Sequence, residues 1–317
     1  MNHSIDILLA TYNGEKYLVE QIESILLQTI LNWILLIRDD GSTDGTLQII
    51  QRYADQYPDK IIWLRDNESN LGVTKNFERL MEYSTASYIM FCDQDDIWLP
   101  HKIETCLRKL QTMEREYGVD TPLLVYTDLS VCDERGELVA ESFWKYQGSN
   151  PSLPLDYAKA LVQNNATGST FIFNRSLCDR ALPFPPDTVM HDWCVALTAL
   201  YLGKIDYITN QTILYRQHSA NVSGSKGKNI LPILRKLPRY CIILENNRVQ
   251  AKSFLENFRS QLDQRQINIL ETFTALFYMN KFHRLYKLLR FKFLTFANLK
   301  DIGKIVMFIF CSKKESL

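Results

Sequence analysis

The residues best equipped for chemistry in this 317-residue chain lie between Tyr88 and Trp98, in the run YIMFCDQDDIW. Five apolar residues, Tyr88 to Cys92, break abruptly into Asp93, Gln94, Asp95 and Asp96. Carboxylates this close repel one another, and burying them without partners is costly, so they need open water or a cation. Asp93 and Asp95 are two positions apart and point the same way in extended backbone, so they can share one ion or an ion-bridged ligand. Hard cations such as Mg²⁺ and Mn²⁺ take oxygen ligands, and where the protein supplies few they complete their shell with phosphate oxygens. The competing reading is an acidic surface turn leading into a helix that starts near Pro100 and Lys102.

A second acidic cluster, Asp39-Asp40-Gly41-Ser42-Thr43-Asp44-Gly45-Thr46, imitates the first half of a calcium-binding EF-hand loop. The twelfth loop position would be Gln51 instead of the bidentate glutamate such a site needs, which disfavours an EF-hand. An Asx-type turn capping the next helix is the structural reading. The functional one adds a carboxylate able to accept the N–H of a nucleobase. No G-x-G-x-x-G follows the first strand, so a dinucleotide site is unsupported. Asp192, in Met190-His191-Asp192-Trp193, opens a helix; there it serves as a dipole partner or, in a cleft, as a general base. His218 ends the run Tyr215-Arg216-Gln217-His218 and reads as structural or as a metal ligand.

These clusters need a frame that brings them together, and the apolar periodicity supplies one. Ile5–Ala10, Ile34–Ile37, Ile61–Leu64 and Tyr88–Cys92 read as buried strands. Helix-spaced segments alternate with them: 15–28, 47–57 and 74–84, then 100–117 after the fourth strand. This βαβ rhythm predicts an α/β fold with a mostly parallel sheet flanked by helices, whose ligands gather at the carboxyl ends of the strands. Further strands are expected at 123–126, at 170–173 and in a segment whose end is Tyr215–Asn221, with a helix over 190–202. Ser142–Pro154 reads as a turn-rich, substrate-facing loop with exposed aromatics. Ser223–Asn229, rich in Gly, Ser and Lys, reads as a hinge.

Seven scattered cysteines without a C-x-x-C pair suit reduced thiols in a cytosol. The start, MNHSIDILLATYNG, has no basic segment ahead of an apolar core, so a signal peptide is not expected. The apolar run Ile305–Cys311 is too short to span a bilayer. Net charge is zero, yet residues 1–218 carry 18 Lys and Arg against 30 Asp and Glu, and residues 219–317 carry 18 against 6. The basic part must face something negative: the acidic part, nucleic acid or an anionic membrane. Over Lys281–Leu299 a helix is expected with Phe282, Leu285, Tyr286, Leu289, Phe293 and Phe296 on one face and Lys281, Arg284, Lys287, Arg290 and Lys292 around it. That pattern fits a helix packed on the acidic domain or one lying on an anionic membrane surface, the latter favoured by nine Lys and Arg against one Asp over 281–314.

Taken in order, TYNGEKYL, RDDGSTDGT, NLGVTKNF, CDQDDIW, HDW and YRQH resemble the inverting family-2 glycosyltransferases of GT-A fold, most closely the rhamnosyltransferase-like branch that builds bacterial surface polysaccharides. The resemblance covers about residues 4–222; Ala10 stands where many relatives have Pro, and residues 223–317 match no motif. It implies a GT-A catalytic domain over 1–222, nucleotide-sugar binding within 1–98 and the acceptor side within 99–222, followed by a basic helical region, 223–317. It also implies that Thr11, Tyr12 and Asn13 line the nucleotide pocket, joined by Asn70, Gly72 and Gln94, and that Asp40 accepts from the base. Lys75 or Asn76 would assist base or phosphates. Asp95 would hold a divalent metal, Mn²⁺ or Mg²⁺, on the diphosphate, with His218 as a further ligand and Asp93 towards the ribose and metal. Asp192 would be the general base, with Trp98, Trp193 and Asn165 on the acceptor side.

The chemistry suits these residue types. Breaking a sugar–phosphate bond releases a diphosphate whose charge a cation stabilises by several kcal/mol or so. One carboxylate suffices to deprotonate an attacking hydroxyl, so single displacement with inversion is expected. The local match points to dTDP-L-rhamnose as donor, with UDP-sugars as the alternative, and to a lipid-linked glycan acceptor on the inner face of the cell membrane. Rival classes are a nucleotidyltransferase, whose Gly-rich basic signature TYNGEKYL lacks, and a non-catalytic nucleotide-sugar or nucleic-acid binding protein. Nucleic-acid binding is disfavoured because the basic residues interleave with an apolar face.

Overall fold

The computed structural model describes residues 5–66, 68–218, 233–294 and 308, with side chains over 233–239 excepted. The chain alternates β1 (Ile5–Thr11), α1 (Leu18–Leu26), β2 (Trp33–Asp39), α2 (Thr46–Gln56), β3 (Ile61–Leu64), α3 (Val73–Tyr83) and β4 (Tyr88–Cys92). It continues with β5 (Ile97–Trp98), α4 (Lys102–Tyr117), β6 (Leu123–Cys132), β7 (Leu138–Ala140), α5 (Phe143–Gln147), α6 (Tyr157–Ala160), β8 (Ile172–Asn174), α7 (Arg175–Ala181), α8 (His191–Leu202) and β9 (Lys204–Arg216). Three helices follow: α9 (Ile233–Phe258), α10 (Gln264–Ala275) and α11 (Lys281–Arg290).

One sheet runs in the order β3-β2-β1-β4-β8-β6-β9-β5, with β7 beside β6. The first four strands are parallel, as the βαβ rhythm dictates. β8 then enters antiparallel between β4 and β6, and β6 and β9 run parallel to each other. Register brings the strand ends level: Thr11 stands opposite Asp39, and Leu9 opposite Cys92. The polar clusters after β1, β2 and β4 therefore share one edge.

The central strands are buried on both faces, which explains their continuous apolar runs. Ile7, Leu9, Leu35, Ile37 and Met90 pack against Ile22, Ile25, Ile50 and Ile103 of α1, α2 and α4. Their neighbours in the alternation, Leu8, Leu36, Ile89 and Phe91, meet Phe77, Leu80, Leu177 and Val195 of α3, α7 and α8. A third cluster joins Leu197, Leu200 and Tyr201 of α8 to Leu244, Phe254, Leu270, Phe273 and Leu288 of α9–α11. Helix α8 is thus apolar around most of its surface because it is covered from two sides.

Several expectations need correction. β6 is longer than the run Leu123–Tyr126, because its later residues pair with β9 across a register shift. Ser142–Pro154 is only in part the open aromatic loop expected: Tyr146 is exposed, but Ser142 caps α5 and Trp144 is buried against Tyr126 and Tyr207. Helix α11 stops at Arg290, and Phe293 turns into the third cluster instead of joining Phe282, Tyr286 and Leu289, which stay exposed. Leu285 is half-buried, Arg284 is buried, and Phe296 lies outside the described residues, as does the expected hinge Ser223–Asn229. Cys92, Cys106, Cys132, Cys178 and Cys194 are free and buried, but Cys241 is disulfide-bonded, against the expectation of reduced thiols throughout. No helix among the described residues is long and apolar enough to cross a membrane.

Candidate active site

The loops after β1 and β2 are fastened to each other by side chains that satisfy backbone groups. Asp39 accepts from the N–H groups of Gly41 and Ser42 and from the hydroxyls of Thr11 and Ser42. The Asn13 amide oxygen takes the Thr43 N–H at 2.9 Å, while its own N–H donates to the Ser42 hydroxyl. Asn13 adopts φ 49°, a left-handed conformation that Asn tolerates at a turn. Tyr12 exchanges both backbone hydrogen bonds with the Gln94 side chain, at 2.9 and 3.0 Å, and its ring stays exposed at the mouth. Tyr12, Asn13 and Gln94, far apart in sequence, thus form one wall, with Thr11 buried beneath.

Asp40 is buried, and its two carboxylate oxygens accept from the N–H groups of Leu71 and Gly72 at 2.9 and 2.8 Å. Gly72, at φ 79°, permits the sharp entry into α3, and Asn70 lies beside it at φ 58°. The carboxylate therefore shapes the loop around any bound base as well as offering its remaining lone pairs. Of the two residues considered for phosphates or base, Asn76 is buried and engaged with Arg38 through its amide oxygen at 3.2 Å, so it is not a ligand-facing group. Lys75 is half-exposed and ion-paired with Glu78. Arg38, which holds Asp66, Asp40 and the Glu68 carbonyl, is the hidden strut of this side.

On the other side, Asp93, Asp95 and Asp96 diverge. Asp96 is fully buried, accepting from the Arg216 N–H at 3.4 Å, and burial together with Asp95 and Asp93 raises its carboxyl well above the usual range. Asp93 is pushed up to about 7, chiefly by burial, then by Asp95 and by Asp192. Asp192, at the start of α8, therefore lies near enough to Asp93 for the two carboxylates to repel. It too is raised, to about 6, by burial, while the N–H groups of Trp193 and Gly168 pull the other way. Gly168 is required here, since a Cβ on it would stand 2.8 Å from the Asp192 Cβ.

Asp95 and His218 meet directly, Oδ2 to Nε2 at 2.8 Å, and the His218 ring stacks on Tyr17 with centroids 4.9 Å apart. Two ligands at right angles on an octahedral ion with bonds of about 2.0–2.1 Å lie roughly 3 Å apart, so this pair suits one divalent cation. Among the described residues no group of three His, Cys, Asp or Glu gathers to hold a metal. Asp93 thus does not complete a three-ligand protein cage, and the pair would depend on oxygens from a ligand and water. That need matches Mg²⁺ or Mn²⁺ bound through a diphosphate.

The acceptor-side expectations fare differently. Trp98 is a correction: it is buried in β5 with the Lys102 ammonium 4.5 Å from its ring centre, so it offers no surface to an acceptor. Trp193 is half-buried and donates its indole N–H to the Ala160 carbonyl at 2.8 Å. Asn165 is buried and tied to Gln163 and the Asn150 carbonyl. His191, beside Asp192, stacks on Phe77 at 3.9 Å, and burial depresses it to about 3, so it is a neutral core residue. Arg216, Tyr17, Arg38 and Gly168 escaped the sequence reading as working parts. Arg216 and Tyr17 stood inside quoted motifs, but nothing in their spacing says what they touch.

The parallel-sheet edge thus carries the hydrogen-bonded wall of Tyr12, Asn13 and Gln94, the Asp95–His218 pair and the raised carboxyls of Asp93 and Asp192. The chain belongs to glycosyl transferase family 2, whose model matches residues 6–178. It is 29% identical over 224 residues to the dTDP-rhamnosyl transferase RfbG of Shigella flexneri, covering 68% of this chain and 74% of that one. Two other relatives are matched over only 66% and 45% of their length. The fold is similar to that of TarS residues 1–349 from S. aureus in complex with UDP-GlcNAc, at TM-score 0.54 and 14% identity, covering 96% of this chain and 89% of that one. It is also similar to the mannosyltransferase PcManGT of Pyrobaculum calidifontis in complex with GDP-Man and Mn²⁺, at TM-score 0.51 and 15% identity, covering 99% and 89%. The GT-A fold expected from the motifs is therefore the fold of this family-2 glycosyltransferase.

Proposed function

We propose that the chain transfers L-rhamnose from dTDP-L-rhamnose, with inversion, to a hydroxyl of a lipid-linked glycan during surface-polysaccharide synthesis. The observation that carries the catalytic reading is Asp192: a half-buried carboxylate at the start of α8, raised to about 6 and near enough to Asp93 to raise that carboxyl as well. Such a group is still ionised at neutral pH yet basic enough to take a proton, the compromise a general base needs. The acceptor oxygen attacks the anomeric carbon, its proton passes to Asp192, and the sugar–oxygen bond breaks with its electron pair leaving on the diphosphate. Asp95 and His218 would hold a divalent cation, whose positive charge stabilises that leaving group.

Thr11, Tyr12, Asn13, Asp40, Asn70, Gly72, Lys75 and Gln94 form the proposed nucleotide side. Rhamnose is supported by the RfbG match and the motif resemblance; a UDP-sugar is the alternative donor. Residues 1–222 are read as the catalytic unit and 223–317 as a basic helical one. The exposed Phe282, Tyr286 and Leu289, one face of α11, together with the excess of positive charge beyond residue 218, support peripheral binding to an anionic membrane.

The test is nucleotide release from dTDP-rhamnose, UDP-glucose, UDP-galactose and UDP-N-acetylglucosamine, each with Mn²⁺, Mg²⁺ or EDTA. Metal-dependent release from dTDP-rhamnose, abolished in Asp95→Ala, is the expected result. Turnover indifferent to EDTA and to that substitution would sink the metal assignment, and preference for a UDP-sugar would replace the donor.

A further inference from the structure

We propose that Arg216 and Tyr17 are positioning residues that set the relative placement of Asp95 and His218, and so the site's affinity for its divalent cation. The inference rests on the metal reading above. Arg216 closes β9 and is 2% exposed. Its guanidinium reaches three segments at once: Nε donates to the Asp95 carbonyl at 3.2 Å, Nη1 to the Glu134 carbonyl at 2.9 Å, and Nη2 to the Glu20 carboxylate. Its backbone N–H donates to Asp96, and the next residue's N–H donates to the Cys132 carbonyl at 2.9 Å. The acidic loop and the end of β9 are thus joined on both sides of the residue that precedes His218 by two.

Tyr17 completes the link. The Arg216 guanidinium lies 4.9 Å from the Tyr17 ring centre, and the same ring stacks on His218 at 4.9 Å with planes 29° apart. One buried cation therefore touches the Asp95 backbone directly and the His218 imidazole through one aromatic ring. The planar fork of Arg is needed for this three-way contact, and Lys, with a single ammonium, cannot reproduce it. Among the described residues the buried Tyr17 hydroxyl makes no hydrogen bond to Arg216, Asp95 or His218, so the ring, not the hydroxyl, makes the link. Outer-shell groups of this kind fix ligand orientation, and removing them typically weakens metal binding about 10- to 100-fold.

The experiment is a Mn²⁺ titration of the full chain followed by electron paramagnetic resonance of the free ion, with and without dTDP, for wild type, Arg216→Lys, Tyr17→Leu and Tyr17→Phe. Thermal melts accompany each variant. The expected result is at least about tenfold weaker Mn²⁺ binding in Arg216→Lys and Tyr17→Leu, with wild-type affinity in Tyr17→Phe. Should Arg216→Lys not fold, the two Tyr17 variants decide the matter. Wild-type affinity in both Arg216→Lys and Tyr17→Leu overturns the positioning role while leaving the metal site intact. Equal loss in Tyr17→Phe and Tyr17→Leu overturns the ring link. Absence of Mn²⁺ binding by the wild-type chain, even with dTDP, overturns the metal reading and this inference together.

Discussion

Carboxylates on the two sides of this cleft have opposite fates. On the nucleotide side, Asp39 and Asp40 sit at a strand end with every oxygen engaged by backbone N–H groups or hydroxyls. Their charge is compensated, and their work is to hold loops in shape. On the side proposed for catalysis, Asp93 and Asp192 are half-buried near each other, and partial burial raises both. The same side chain is a strut where partners outnumber neighbouring charges and a reactive group where like charges and apolar walls prevail.

The largest expected effect breaks the catalytic half. Asp192→Asn keeps the shape and removes the basic lone pair, so kcat should fall by about 10²–10⁴ with donor KM little changed, as initial rates at saturating acceptor would show. The next sharpens it. Because Asp192 must be ionised to accept a proton, kcat/KM should drop about tenfold per pH unit below about 6 and level off above. A rate independent of pH between 4.5 and 7 would remove Asp192 as base.

Stability should separate the halves by sign. Asp39→Ala leaves two N–H groups and two hydroxyls without their acceptor and should cost on the order of 2–4 kcal/mol in denaturant unfolding. Asp192→Asn should instead stabilise the fold at pH 7–8 by about 1–2 kcal/mol. The raised carboxyl binds its proton more tightly folded than unfolded, so its contribution is favourable at low pH and is lost as pH rises through about 6. Asn lacks that term, though it satisfies the Gly168 and Trp193 N–H groups less well. A lower melting midpoint for Asp192→Asn at pH 8 would contradict the account.

The smallest effect lies away from the cleft. Replacing Phe282, Tyr286 and Leu289 by Ser should weaken co-sedimentation with phosphatidylglycerol vesicles about three- to tenfold at low salt, with little change for phosphatidylcholine vesicles. Unchanged sedimentation would leave α11 without a membrane role.

Much of this was legible in the chain itself. Apolar runs of strand length, each broken by Asp, Asn or Gly, located the four parallel strands and the edge where ligands gather, because local periodicity and turn chemistry depend only on neighbours in sequence. The residue types at 93, 95, 192 and 218 carried the family resemblance for the same reason. Short elements such as β5 and α5 were not legible, since they owe their form to pairing with β9 and packing on β6. Trp98 was placed on the acceptor side because sequence does not reveal which aromatic is covered. Only the tertiary structure decided which carboxylates are compensated and which are not, and that Arg216 joins segments near residues 20, 95 and 134. Charge compensation and burial are properties of groups brought together through space, and no spacing along the chain encodes them.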